Sequence, residues 1–97
     1  MQIKWNKLAV KQLIDAIEYL EDNDEFAYAE KIEQRILLKI KLLPRKPEIY
    51  QPDRLKKNND GSFHAFEIDS YRISYRVLPK EIRILRIRHS SRRSFTR

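Results

Sequence analysis

Apolar positions follow two different periods along the first 43 residues. Ile3 and Trp5 alternate with Gln2 and Lys4, which predicts a short strand over 2–5. Asn6 is placed to cap a helix, and Val10, Leu13, Ile14, Ile17 and Leu20 then recur at the spacing of one helical face. A polar break follows at Glu21–Asp24, where Asp22, Asn23 and Asp24 are all suited to capping the next helix. Ala29, Ile32, Ile36, Ile40 and Leu43 make the apolar stripe of a second helix over about 25–43, ended by Pro44 and Pro47. Leu38 and Leu42 add a second stripe, which predicts packing on both the partner helix and a sheet. Two helices joined by so short a break form an antiparallel hairpin.

After a proline-rich connection with a turn at Asp60-Gly61, the period changes to two. Strands are predicted over 63–69, 71–78 and 81–89, the last two joined by a tight turn at Pro79-Lys80. In the middle strand Tyr71, Ile73, Tyr75 and Val77 share one face, and Arg72, Ser74 and Arg76 share the other. The last strand breaks phase, since Ile82 and Ile84 differ in parity from Leu85 and Ile87. Either a β-bulge sits near Ile84-Leu85 or both faces are partly covered. The order β-α-α-β-β-β defines an α+β fold: an N-terminal strand and an antiparallel α-hairpin packed on a small, mostly antiparallel, three- to four-stranded twisted sheet. The whole of 1–97 is expected to be a single domain.

Composition narrows the function. Cysteine is absent, so disulfides and cysteine-ligated metals are excluded, and no metal or cofactor is expected. No secretory signal is visible at the start, and the longest aliphatic run, Ile36–Leu38, is far short of the roughly 20 residues of a membrane span. A cytoplasmic protein without membrane contact is expected. Charge is lopsided: residues 1–60 are nearly balanced at net +1, whereas 61–97 carry nine basic and three acidic residues, and eight of the nine are Arg. The planar donor fork of Arg matches phosphate and carboxylate oxygens. Such a half suits a polyanion, either nucleic acid or an acidic protein.

Particular residues extend this reading. Trp5 precedes a helix carrying Ala9, Leu13 and Ile17, and the second helix ends in Leu42-Leu43-Pro44. The strand Tyr71-Arg72-Ile73-Ser74-Tyr75-Arg76-Val77 and the run Ile84-Leu85-Arg86-Ile87-Arg88-His89-Ser90-Ser91-Arg92 follow. In order and spacing these pieces resemble the RelE/ParE superfamily of toxins from bacterial type II toxin–antitoxin systems, over nearly the whole chain. The resemblance implies a toxin neutralised by a cognate acidic antitoxin, in a heterodimer or heterotetramer. It leaves two targets. RelE-like members cut mRNA on the ribosome; ParE-like members poison DNA gyrase and lack nuclease residues.

Metal-free RNA cleavage needs a base for the 2′-hydroxyl, an acid for the leaving oxygen and cations over the phosphate. By the resemblance, Arg72 and Arg92 would stabilise the phosphate and His89, flanked by arginines, would move the proton. Lys56, Lys57, Arg76 and Arg93 would hold the RNA backbone. His64 reads as structural. The tail Ser94-Phe95-Thr96-Arg97 lacks the terminal tyrosine common in RelE-type nucleases. The sequence reading leans slightly to an mRNA endoribonuclease. A non-catalytic gyrase inhibitor is the alternative, and an inactive or orphan RNA-binding domain the third.

Overall fold

The most regular alternation in the chain makes the hub of the sheet. The computed structural model describes residues 1–90. Its elements are β1 (Gln2–Trp5), α1 (Lys7–Asp22), α2 (Phe26–Leu42), a 3-10 turn (Leu43–Arg45), β2 (Phe63–Ile68), β3 (Tyr71–Val77) and β4 (Glu81–His89). The strands form one sheet in the order β1-β4-β3-β2, antiparallel except for β1, which runs parallel to β4 at the edge. This is the α+β arrangement expected from the period changes.

One face of the sheet is covered. Tyr71, Ile73 and Tyr75 from β3, Phe66 and Ile68 from β2, and Ile82, Ile84 and Ile87 from β4 form a single core with the buried faces of both helices. The α2 stripe Ala29, Ile32, Ile36, Ile40 and Leu43 is buried throughout, at 3% exposure or less. Ile3 and Trp5 pack against the same core, as their alternation requires.

Tertiary packing corrects three local expectations. The buried face of α1 is Ala9, Leu13, Ala16 and Leu20, so Val10 and Ile14 stand exposed at 41% and 51%. The helix lies close to β4, and alanine at 9 and 16 permits that approach where a β-branched residue would hold the backbones apart. Leu38 and Leu42 are also exposed, so α2 buries one stripe and not two. Finally, Asp22, Asn23 and Asp24 do not cap α2, whose N-cap position is Glu25 without a side-chain bond. They end α1 instead. Asp24 adopts φ 62°, its N–H bonds the Glu21 carbonyl, and the Glu25 N–H bonds the Leu20 carbonyl. This pair of bonds is a Schellman stop with aspartate in the position glycine usually takes.

The phase break in β4 is a bulge. Ser74 opposes Arg86 while Tyr75 opposes Ile84, which leaves Leu85 as the extra residue. The register slip lets Ile82, Ile84 and Ile87 all face the core despite their parities. Beyond the end of β1, the Ile87 N–H donates to Gln12 Oε1 of α1 at 2.8 Å. A helix side chain thus satisfies a strand edge that no further strand covers.

Candidate binding face of the sheet

The face turned away from the helices carries the charge. β3 places Arg72, Ser74 and Arg76 there, and the registers Arg72↔Arg88, Ser74↔Arg86 and Arg76↔Arg83 line them up with the arginines of β4. Like charges directly opposite destabilise a sheet unless counter-ions intervene. Carboxylates supply them. Arg72 Nη2 lies 2.6 Å from Asp53 Oδ1, with Glu67 at 3.7 Å from its other terminal nitrogen. Arg76 reaches Ser62 Oγ at 3.0 Å and Asp60 at 3.5 Å, and its guanidinium lies 4.6 Å from the centroid of the Phe63 ring. Arg83 binds Glu81 at 2.6 Å.

Asp53 organises the loop between α2 and β2. Its Oδ1 takes the bond from Arg72 and also the Leu55 N–H at 2.9 Å, while its own N–H donates to the Phe63 carbonyl. The Asn59 side chain closes the loop, donating to the Phe63 carbonyl at 2.8 Å and accepting the Gly61 N–H at 2.8 Å. Gly61 sits at φ 97° and Asn58 at φ 54°, conformations these residue types tolerate. The Ser62 hydroxyl and N–H, reinforced by Arg76, hold the Asp60 carboxyl below the usual carboxylate range. Lys56 is laid over the Phe63 ring, 4.7 Å from its centroid, and Lys57 is exposed.

His89 lies elsewhere. It opposes Tyr71 across the ladder and meets that ring edge-on, with centroids 5.0 Å apart. Tyr71 belongs to the helix-facing set, so His89 and Arg72 project from opposite faces of the β3–β4 pair. Arg92 and Arg93, and the tail after them, lie outside the described residues. His64 is buried at 5%, is bonded through Nδ1 to the Tyr50 carbonyl and stacks on Tyr75. It fastens the chain before β2 to the sheet edge. Facing a carbonyl, Nδ1 carries a proton, an assignment made from the hydrogen bond.

The structure therefore brings Arg72 and Arg76 onto one surface, with Lys56 and Lys57 in the loop beside it, and sets His89 apart. The acids Asp53, Asp60 and Glu67 escaped the sequence reading, although a signal existed. Alternation had already stacked arginines on one sheet face, and such a face demands counter-ions. Among the described residues no group of three or more His, Asp or Glu is arranged to hold a metal ion, and no helix is long and apolar enough to cross a membrane.

A helical hairpin laid on one face of a four-stranded sheet, with an arginine-lined open face, defines a small basic α+β domain. The chain matches the family model described as ParE toxin of type II toxin-antitoxin system, parDE, over residues 3–94, and it belongs to that family. Its fold is similar to that of a solved chain from the "Chromosomal ParDE TA system from P. aeruginosa". That chain is 23% identical with a TM-score of 0.73, covering 92% of this chain and 95% of that one. No curated protein matches the sequence. Membership in a type II system implies a cognate antitoxin as partner.

Proposed function

We propose that this toxin acts in the cytoplasm by binding DNA gyrase, without cleaving RNA, and that its antitoxin covers part of the binding surface. The observation that carries this reading is the separation of Arg72 from His89 across the two faces of the sheet. Phosphodiester cleavage needs a proton-transfer group and a phosphate-binding cation converging on one atom. Here the histidine packs edge-on against Tyr71, and Arg72 is engaged by Asp53. Family membership and the ParDE neighbour support the gyrase side of the superfamily.

The test pairs a purified gyrase supercoiling assay with ribosome-programmed mRNA cleavage mapped by primer extension. The wild-type chain is expected to inhibit supercoiling and leave the message intact, and His89→Ala to inhibit equally well. Ribosome-dependent cleavage that disappears in His89→Ala would sink the proposal and restore the nuclease reading.

A further inference from the structure

Among the described residues, the two most exposed large apolar side chains are Leu55, at 66%, and Phe26, at 61%. Each is ringed by charge, and the signs are opposite. Leu55 is flanked by Arg54, Lys56 and Lys57, all exposed. Phe26 sits at the tip of the helical hairpin, where residues 15–30 hold seven carboxylates and no Lys or Arg. These are Asp15, Glu18, Glu21, Asp22, Asp24, Glu25 and Glu30, every one exposed, and among the described residues only Asp15 has an ion-pair partner, Lys11. A chain of net +7 thus has one strongly negative end.

Folding does not require that arrangement. Glu18, Glu21 and Asp22 crowd the C-terminal turns of α1, where the helix dipole disfavours negative charge. The Leu55 loop, in contrast, is held in one shape by Asp53, Arg72 and Asn59, so ordering it on contact costs little further entropy. The patches also lie on opposite sides of the sheet, since the hairpin covers one face and the Leu55 loop is bonded to Arg72 on the other. Asp69, in the β2–β3 turn, is bonded by Arg35 and Tyr28 of α2, which puts that turn at the hairpin-tip end. The Leu55 loop lies by the open face, where Asp53 takes bonds from both Arg72 and the Leu55 N–H.

We propose that these patches bind each other between copies: the Arg54-Leu55-Lys56-Lys57 knob of one chain seats on the acidic, Phe26-bearing tip of a second copy. Two different surfaces meet, so the contact is head-to-tail and adds further copies unless the rotation closes a ring. It is electrostatic at its rim and therefore weakens with salt, the screening length shrinking from about 30 Å at 0.01 M to about 8 Å at 0.15 M. The inference does not depend on whether the target is gyrase.

Analytical ultracentrifugation of the full chain tests it. The weight-average mass is expected to rise with concentration at low ionic strength and to fall to that of the monomer in high salt. Arg54→Glu/Lys57→Glu and Glu21→Lys/Asp22→Lys are each expected to stay monomeric with unchanged far-ultraviolet circular dichroism. Mixed, they are expected to form a 1:1 dimer, because one supplies an intact tip and the other an intact knob. A wild-type chain that stays monomeric at low ionic strength overturns the proposal. So does self-association of either variant matching the wild type, or a mixture that remains monomeric while the wild type associates.

Discussion

Arg72 shows how neighbouring carboxylates fix a side chain that alternation alone leaves unpartnered. On an alternating strand it projects from the open face beside Arg88 and Glu67. Its guanidinium closes on Asp53 at 2.6 Å, with only 19% and 11% of the two side chains exposed. Such a pair resists screening better than a surface bridge, and removing one partner strands the other charge. Arg72→Ala is expected to cost about 1.5–3 kcal/mol in urea denaturation, the range for losing a hydrogen bond to a charged group. It is also expected to speed amide exchange at Leu55, whose N–H shares Asp53 Oδ1. Unchanged stability and protection would show that the pair does not shape the loop. Tyr75 makes a second case. Its ring is fully buried and its hydroxyl donates to the Pro47 carbonyl, and burial raises its pKa well above that of ordinary tyrosine. Burial, with Asp69 beside it, raises Tyr28 as well. A raised folded-state value means stability that is whole below the unfolded pKa, near 10, and lost as pH climbs past it. Stability is therefore expected to fall above about pH 10. In Tyr75→Phe the fall should be shallower, starting from a protein already weakened by the lost hydrogen bond.

At the scale of the element, periodicity located both helices and every strand to within two residues, because each repeat is set locally by backbone geometry. It did not say which part of a broad apolar arc would be covered. On α1 the arc runs from Ala9 round to Ile17, and only the fit of Ala9 and Ala16 against the sheet selects the buried side. Leu13→Ala is accordingly expected to cost about 2–5 kcal/mol by thermal or urea unfolding. Its neighbour in sequence, Ile14→Ala, should stay within about 0.5 kcal/mol of wild type. Equal losses at both positions would return Ile14 to the core. The β4 bulge was legible as a choice between two explanations. Pairing with β3 resolved it, since Leu85 is extra only relative to a partner strand.

For the whole molecule, one core joins β1, both helices and the other three strands, although β1 is contributed by the far end of the chain. Trp5, the sole tryptophan, packs at that edge. Its fluorescence and the far-ultraviolet circular dichroism are expected to report the same denaturation midpoint, the signature of one cooperative unit. An earlier fluorescence transition would mark β1 and α1 as a separate unit. Charge behaves differently at this scale from its sequence totals. The near-neutral first 60 residues contain the acidic hairpin tip and the basic loop together, and only folding sends them to opposite sides of the sheet.

By itself the sequence determined the element order, the fold class, the resemblance to the toxin superfamily and the pairing of arginines on one face of β3. All of these follow from local periodicity and short motifs. Only the tertiary structure decided which side of α1 is buried, that Asp53 and Asp60 neutralise Arg72 and Arg76, and that His89 points away from Arg72. Those outcomes depend on groups distant in the chain meeting in space, 19 residues apart for Asp53 and Arg72 and 75 for Gln12 and Ile87, and on a one-residue bulge whose effect exists only against a neighbouring strand.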